Sequence, residues 1–499
     1  MARKLYIGII SLVLCASLAG CNKWLELKPV DGIVGEDYWK TKEQLFAAVN
    51  GIYASLIGNP AGVSDRQLSE YLFMWGELRA DMVVPSSGAT NEDIDVFNTN
   101  LLSTNSIVNW RAVYRTINYC NTVIELAPGV MQHDNTLTAA QLSNYMAEAY
   151  AIRGLMYFYL VRSFRDVPLK LTATTSDEQL EQQPKTTSDV ILKQIVADLQ
   201  KAETDAVLSY GSKTSDKGRI TKYTVSAILA DVYLWMDKYD DCIAACNKVI
   251  NAGQFGLITG NDSWVTNLFY TGNSNESIFE FQFDNQALNP FYSLFLTTRR
   301  RYQAAGAVMD DMYTIDYVNE DSVDIRGAGA SIRTSDNTIW KHVAYNRSTA
   351  VTQDASFNHW IVYRYSDVLL MKAEALNQTN KGQEALDIVY KVRERAHALI
   401  SSDARPDAAD KNAVADFILA ERGREFAFEG KRWYDILRNA KRDNYARLDL
   451  LLAIIAKTVT PDRQQSAINK YKDYNSHYLP IYIYELQTDK NLVQNPYYQ

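Results

Sequence analysis

Apolar residues recur at three- and four-residue steps along most of the chain, most densely in its last third. From Trp360 to Leu376, Val362, Tyr365, Leu369, Ala373 and Leu376 fall on one helical face. Lys381-Gly382 interrupts that pattern, and Ala385, Ile388, Val392 and Ala396 begin a second stripe. A third helix is predicted from Val414 to Phe428. It leads into Glu421-Arg-Gly-Arg-Glu-Phe-Ala-Phe-Glu-Gly-Lys-Arg-Trp-Tyr-Asp-Ile-Leu-Arg438, where charges alternate with Phe426, Phe428 and Trp433. A solvated face accounts for the lysines but not for the aromatics. Arg–carboxylate pairs clamping packed helices are therefore expected, because a paired charge tolerates burial and a lone one does not.

The same periodicity places helices earlier in the chain. Thr41-x-x-Gln44 is a capping box ahead of the stripe Leu45, Val49, Ile52 and Leu56, which Gly58-Asn59-Pro60 ends. A long helix starts at Trp110, and its partner, Tyr145 to Phe164, carries aromatics all round and so reads as deeply buried. Helices from Ser188 to Lys201 and from Thr221 to Met236 follow. The stretch around Ala230 matches that around Ala373 at a shift of 143 positions, with Lys238, Asp241 and Ile243 falling on Lys381, Glu384 and Leu386. Helix, tight turn, small residue and helix is the logic of tetratricopeptide pairs, each of which buries its face against the next. Two stretches break the rhythm. Residues 82–105 form a polar loop, and residues 253–359 form a large insert rich in Gly, Asn, Asp and aromatics. An insert of that length between repeat helices is usually functional. Within it Phe279, Phe281 and Phe283 alternate as a core strand.

Several strings together resemble the SusD/RagB family of outer-membrane nutrient-binding lipoproteins. They are Arg364-Tyr-Ser-Asp-Val-Leu-Leu-Met-Lys-Ala-Glu-Ala, the Glu421 to Asp435 run, Trp75-Gly-Glu77-Leu-Arg79-Ala-Asp81, Ala149 to Pro168, and the tail from Leu479 to Tyr497. The resemblance covers nearly the whole mature chain. It implies a mainly α fold of tetratricopeptide-like helix pairs carrying a large loop-rich insert. Glu77, Arg79 and Asp81 alternate and would share one face of a strand, either as a ligand clamp or as structural salt bridges. The family frame favours the second role, and likewise a structural role for Asp321-Ser-Val-Asp324-Ile-Arg326.

Composition and the N-terminus narrow the setting. The 499 residues are 47% hydrophobic and 22% charged, enough for a substantial core. The net charge of −8 and acidic balance argue against nucleic acid as a partner. Arg3 and Lys4 precede an apolar stretch, Leu5 to Leu18, too short to span a bilayer. It ends in Leu18-Ala19-Gly20-Cys21, which resembles the bacterial lipobox and makes Cys21 the expected lipidation site. The expected organisation is a lipoprotein signal peptide at 1–20, a lipidated tether at 21–40 and a single domain at 41–499. Its helical scaffold spans about 41–252 and 360–440, and the insert spans about 253–359. Cys242 and Cys246 stand four apart with no third ligand near them, so buried side chains are expected and neither a metal nor a disulfide framework. The acids of residues 321–324 lack the full oxygen pattern of a calcium loop.

Motifs for catalysis are poor. Neither His-Glu-x-x-His nor Gly-x-Ser-x-Gly occurs, and Gly211-Ser-Lys-Thr lacks the leading glycine and spacing of a phosphate loop. The 59 acids leave many conceivable pairs for glycoside hydrolysis and single out none. No catalytic residue, cofactor or metal is expected. The family resemblance implies a cell-surface glycan-binding lipoprotein that delivers oligosaccharides to a SusC-like TonB-dependent outer-membrane transporter. A RagB-like peptide binder and a surface glycoside hydrolase stay open as alternatives. Sugar rings present apolar C–H faces, so a glycan platform needs exposed aromatic planes flanked by side-chain donors. The insert supplies Trp264, Tyr292, Tyr302 and Trp340 with Asn289 and Arg300, and the other loop supplies Asn98.

Overall fold

Helix α1 (Lys42–Ile57) starts where the capping signal stands, with Thr41 accepting from the Gln44 N–H and the Gln44 side chain reaching back to the Thr41 N–H. The computed structural model describes residues 38–58, 66–176, 179–314, 316, 318 and 322–499. Cys21 and the segment expected as signal and tether, up to residue 37, lie outside them, as do Asn59, Pro60 and Asp321.

The first half continues with α2 (Leu68–Glu77), β1 (Val83–Pro85), α3 (Asn91–Phe97), α4 (Arg111–Val130), α5 (Ala139–Phe164), α6 (Ser188–Asp205), α7 (Lys213–Gly218), α8 (Lys222–Trp235) and α9 (Tyr239–Ile250). The insert then carries short strands, β2 (Ser277–Phe281), β3 (Tyr302–Ala304), β4 (Ile332–Arg333) and β5 (Thr338–Ile339), with single π-helical turns before β2, between β2 and β3 and between β3 and β4. After β6 (Trp360–Arg364) the helices resume as α10 (Tyr365–Gln378), α11 (Gly382–Arg395), α12 (Lys411–Glu425), α13 (Arg432–Tyr445), α14 (Asp449–Thr458), α15 (Pro461–Tyr471) and α16 (Ile483–Thr488). Helices thus extend past the expected limit of residue 440. Among the described residues no helix is long and apolar enough to cross a membrane.

Neighbouring helices pack as antiparallel pairs, and the internal repeat survives in atomic detail. Asp237 and Asn380, the residues before the paired lysines, both take left-handed backbone angles, with φ of 58° and 62°. Each following amide closes the same bond, Lys238 N–H to the Tyr233 carbonyl and Lys381 N–H to the Leu376 carbonyl, both at 2.9 Å. Short polar residues visit that conformation more readily than others, which is why the turn sits on Asp and Asn. Cys242 and Cys246 are buried along α9, unbridged, as expected.

Three expectations need correcting. Trp360 to Arg364 is a strand and not the first turn of α10, because its backbone pairs antiparallel with β2 and all five side chains are buried. Ile361, Val362 and Tyr363 suit such a pleated, buried position. Residues 82–105 are not a plain loop, since they hold β1 and α3, the latter capped by a Thr90/Asp93 box. Glu77, Arg79 and Asp81 share no strand face, because α2 runs through Glu77. Among the described residues Asp81 alone of the three makes an ion pair, with Arg432 at 2.8 Å. Arg79 donates to the His477 carbonyl at 2.7 Å and lies 4.2 Å over the Trp433 ring.

The expected Arg–carboxylate clamp is present, and it is buried. Arg364 at the start of α10 bonds Glu276, Glu425 and Glu429. Arg326 of the insert bonds Asp324, Glu421 and Glu425, and Lys341 adds a bond to Glu429. Arg395 reaches both Glu276 and Glu425. The cluster ties β6, α11, α12 and the insert to one another.

Glu77 is buried and, among the described residues, forms no ion pair of its own. One oxygen accepts from the Gly430 and Lys431 amides at 2.8 and 3.2 Å. Burial pushes its carboxyl up to about 8, against the lowering pull of those amides and of Arg432. The folded protein therefore holds a proton there that the unfolded chain releases near pH 4.5. Stability from this group is full below that pH and is lost as pH rises towards 8. Glu77→Gln is expected to flatten the decline, gaining on the parent by on the order of 4 kcal/mol between pH 5 and 9. Urea unfolding of both proteins across that range checks it, and a constant difference would refute it.

Candidate functional site

The two irregular stretches meet in one small sheet. Strand β1 pairs antiparallel with β3, Val83 opposite Ala304 and Pro85 opposite Tyr302. The contact runs on beyond the strands, with the Ser86 and Gly88 amides donating to the Arg301 and Arg300 carbonyls, each at 2.9 Å. A side chain at Gly88 is impossible without movement, since a Cβ there would stand 1.8 Å from the Arg299 carbonyl oxygen. Beneath this junction Asp93 of α3 accepts from Arg301 and, at 2.5 Å, from the Tyr302 hydroxyl. Burial alone would raise the Asp93 carboxyl, but these partners hold it below the usual carboxylate range.

Arg300 crowns the junction. Its guanidinium donates to Asp336 at 2.8 Å, to the Thr338 hydroxyl at 2.6 Å and to Gln303 at 3.2 Å. Arg333 grips the same Asp336, and these guanidinium bonds, Arg333's foremost, hold that carboxyl well below its ordinary value. Arg300 is half-buried, so part of it still faces solvent.

Four of the seven residues expected to contact a ligand lie inside the core. Trp264 is 0% exposed, set edge-on to Phe269. Trp340 is 1% exposed, with its indole N–H on the Asn346 carbonyl and Arg333 over its ring. Tyr302 is 0% exposed and spends its hydroxyl on Asp93. Asn289 is buried, its amide donating to the Asn358 carbonyl and its oxygen accepting from Ser356. None of the four presents a face to solvent, and the indole N–H of Trp264, which has no partner among the described residues, is buried out of a ligand's reach. The physical reason is shared: the insert has to build its own core, and large rings supply most of that apolar area. Tyr292, Arg300 and Asn98 remain half-buried and reachable. Asn98 caps the end of α3 and lines a notch of about 200 Å³ whose other wall, Arg463, Ser466 and Lys470, comes from α15 and not from the insert.

Among the described residues of the insert the exposed aromatic is a different one. Tyr345 is 47% exposed and meets Tyr270 edge-to-face, centroids 4.9 Å apart. A signal for it existed, since Tyr345-Asn-Arg-Ser-Thr349 is polar throughout, whereas Ile339-Trp340 and Trp264-Val265 are apolar. A separate cavity of about 400 Å³ opens between the end of α1, α7 and β2, beside Tyr53 and Arg219. The acid behind it, Glu148, already bonds both Arg219 and Tyr53, so it is not available for acid–base work.

Comparison with known proteins places this architecture. A family model described as the SusD family matches residues 220–498, and a second, described as starch-binding associating with outer membrane, matches residues 56–234. SusD-like protein P38 of Formosa agariphila is 27% identical over 490 residues, covering 88% of this chain and 92% of its own. SusD-like protein P2 of the same organism is 29% identical, covering 86% and 90%. Among solved structures, a SusD superfamily protein from Bacteroides vulgatus superposes with a TM-score of 0.74 at 20% identity, covering 92% of this chain and all of that one. A laminarin-binding SusD-like protein superposes at 0.67 with 19% identity, covering 92% and 99%.

Proposed function

The chain belongs to the SusD family, and from that premise we propose that it is a glycan-binding lipoprotein of the outer membrane. It captures oligosaccharides at the cell surface, anchored through Cys21, and delivers them to a SusC-like TonB-dependent transporter without chemistry of its own. The observation that carries this reading is the likeness of residues 220–498 to the SusD family and of residues 56–234 to a model described as starch-binding associating with outer membrane, joined by a laminarin-binding SusD-like protein of the same fold. Two local features agree with it. Exposed Tyr345, set against half-buried Tyr270, offers the ring face that sugar C–H surfaces need, and Tyr292, Arg300 and Asn98 remain open for side-chain contacts. The carboxylates that crowd together, Glu276, Glu421, Glu425 and Glu429, are engaged by guanidinium and ammonium groups inside the scaffold, which favours binding over hydrolysis.

The test is calorimetry and affinity electrophoresis of the lipid-free protein against laminarin, soluble starch and a wider panel of polysaccharides, alongside a mixed peptide digest. Binding to at least one polysaccharide with no release of reducing sugar is expected. A rise in melting temperature with peptides alone would replace this reading by the RagB-like one, and release of reducing sugar would replace it by a glycoside hydrolase. Recovery of a TonB-dependent barrel with the protein from solubilised outer membranes tests the partner.

A further inference from the structure

Where the chain leaves α9 it runs from Gly253 to Asn261 and folds back against Asn267 and Asn275, leaving a surface groove of about 460 Å³. Its lining holds no charged residue. Gln254, Asn261, Asn267 and Asn275 are exposed along it, and Phe255 and Leu257 lie half-buried in its wall. Among the described residues the side-chain amides of Gln254, Asn267 and Asn275 take no hydrogen bond from or to protein, and Asn261 uses only its oxygen, on the Ser263 amide. Three unbonded primary amides and the free amide nitrogen of Asn261 thus line a groove walled by Phe255 and Leu257.

The groove is held in shape from outside. The Gly256 amide donates to the Asn275 carbonyl, joining the two walls, and the Ile258 amide donates to the buried Glu276 carboxylate at 3.0 Å. Gly260 is pressed so closely on Arg395 that a Cβ would stand 1.8 Å from its carbonyl oxygen. Phe255 is fixed edge-on to Tyr223, with the Lys217 ammonium 4.3 Å from its ring centre. The backbone beneath the groove is thus fixed, and binding has to order only the exposed amide side chains.

We propose that this groove is a second carbohydrate-contact site, selective for neutral glycans; the proposal rests on the glycan-binding reading above. Each sugar hydroxyl both donates and accepts, and a carboxamide is the side chain that answers both with no charge to desolvate. A uronate or sulfate would find no cation in the lining to offset its burial. The shelf of Phe255 and Leu257 matches the apolar face of a pyranose. The groove is also linked to the exposed Tyr345, because the Thr266 hydroxyl, next to Asn267, donates to the Tyr345 carbonyl at 2.8 Å. It is built from residues 253–275, apart from the junction around Arg300.

The experiment compares the parent with a Gln254→Ala, Asn267→Ala, Asn275→Ala triple variant, using the neutral polysaccharides of the panel with dextran sulfate as an acidic control. All three positions are exposed, so the melting temperature is expected to stay with the parent's. Affinity for the bound neutral polysaccharide is expected to fall by about tenfold or more, the loss of one or two net hydrogen bonds. Hydrogen exchange of the parent is expected to slow across residues 253–275 when that polysaccharide is present, and not with dextran sulfate. A parent that binds no polysaccharide overturns the glycan reading and the groove together. A parent that binds, with the variant within twofold of it or with residues 253–275 unprotected, overturns the groove alone. Stronger protection by dextran sulfate than by neutral chains overturns the assignment to neutral glycans.

Discussion

Replacing Arg364 with methionine is expected to cost on the order of 4 kcal/mol of stability, enough to leave little folded protein at growth temperature. The side chain has no exposure and donates to Glu276 at 2.7 Å, to Glu425 at 2.5 Å, to Glu429 at 2.9 Å and to the Ser366 hydroxyl at 2.5 Å. Removing it strands three buried carboxylates that the remaining cations, Arg326, Lys341 and Arg395, only partly neutralise. Breaking a buried pair costs far more than the pair itself contributes, because the surviving charge cannot be resolvated. Lysine is expected to recover part of the loss at most, since one ammonium cannot reproduce a planar fork facing several carboxylates. The control is Arg447→Met, whose partners Asp416 and Asp449 are exposed and whose loss is expected to stay below about 1 kcal/mol. Denaturant unfolding of the three variants is the measurement, and an Arg364→Met protein as stable as the control would show that the cluster does not hold the fold. The same cluster dictates a response to acid. Burial alone would raise Glu425 and Glu429, but the facing guanidinium and ammonium groups hold both below the ordinary range. Their contribution is full above the ordinary carboxylate range and is lost as pH falls below it.

Trp264→Ala and Trp340→Ala are each expected to lower stability by about 3–5 kcal/mol, the range for truncating a buried Trp or Phe. Both rings are inside the insert, and Trp264 also has Lys341 and Arg395 near its face, at 5.8 and 5.7 Å from the ring centre. Any loss of glycan affinity in these variants should follow the folded fraction and disappear when binding is normalised to it. Tyr345→Ala should behave in the opposite way. Its ring is exposed, so stability should move by no more than about 0.5 kcal/mol. Binding should weaken by roughly 1–3 kcal/mol if the ring stacks on sugar, by analogy with aromatic stacking on bases. Melting temperature and calorimetry on the three variants separate the two behaviours. A Trp264→Ala protein with parental stability and reduced affinity would return that residue to the binding surface.

The contrast between Trp264 and Tyr345 marks where sequence reading reached its limit. Period, caps and turn residues are local properties, so helices such as Lys42–Ile57 and Lys222–Trp235 were legible within a turn, and the repeat at 143 positions was legible with them. The aromatic pattern, by contrast, marks the helix Ala139–Phe164 only from Tyr145, and the helix Leu68–Glu77 has no side-chain cap to announce it. The Arg–carboxylate clamp was legible for a related reason: Glu421 to Arg438 packs more charge beside aromatics than a solvated face accounts for. What each charge pairs with was not legible, because Arg364 meets Glu276, 88 residues away, and Arg326 meets Glu421, 95 residues away. Trp360 to Arg364 carried a helical stripe and became a strand because β2 supplies its backbone partners, a choice that only a distant segment makes. Exposure is decided in the same non-local way. An aromatic in an irregular insert has the composition of a binding residue and of a core residue alike, and only the packing of the insert on itself buried Trp264, Trp340 and Tyr302 while leaving Tyr345 at the surface. The sequence by itself determined the helical scaffold, its repeat and the family; the tertiary structure alone decided which side chains can face a ligand, because burial is a property of the assembled chain.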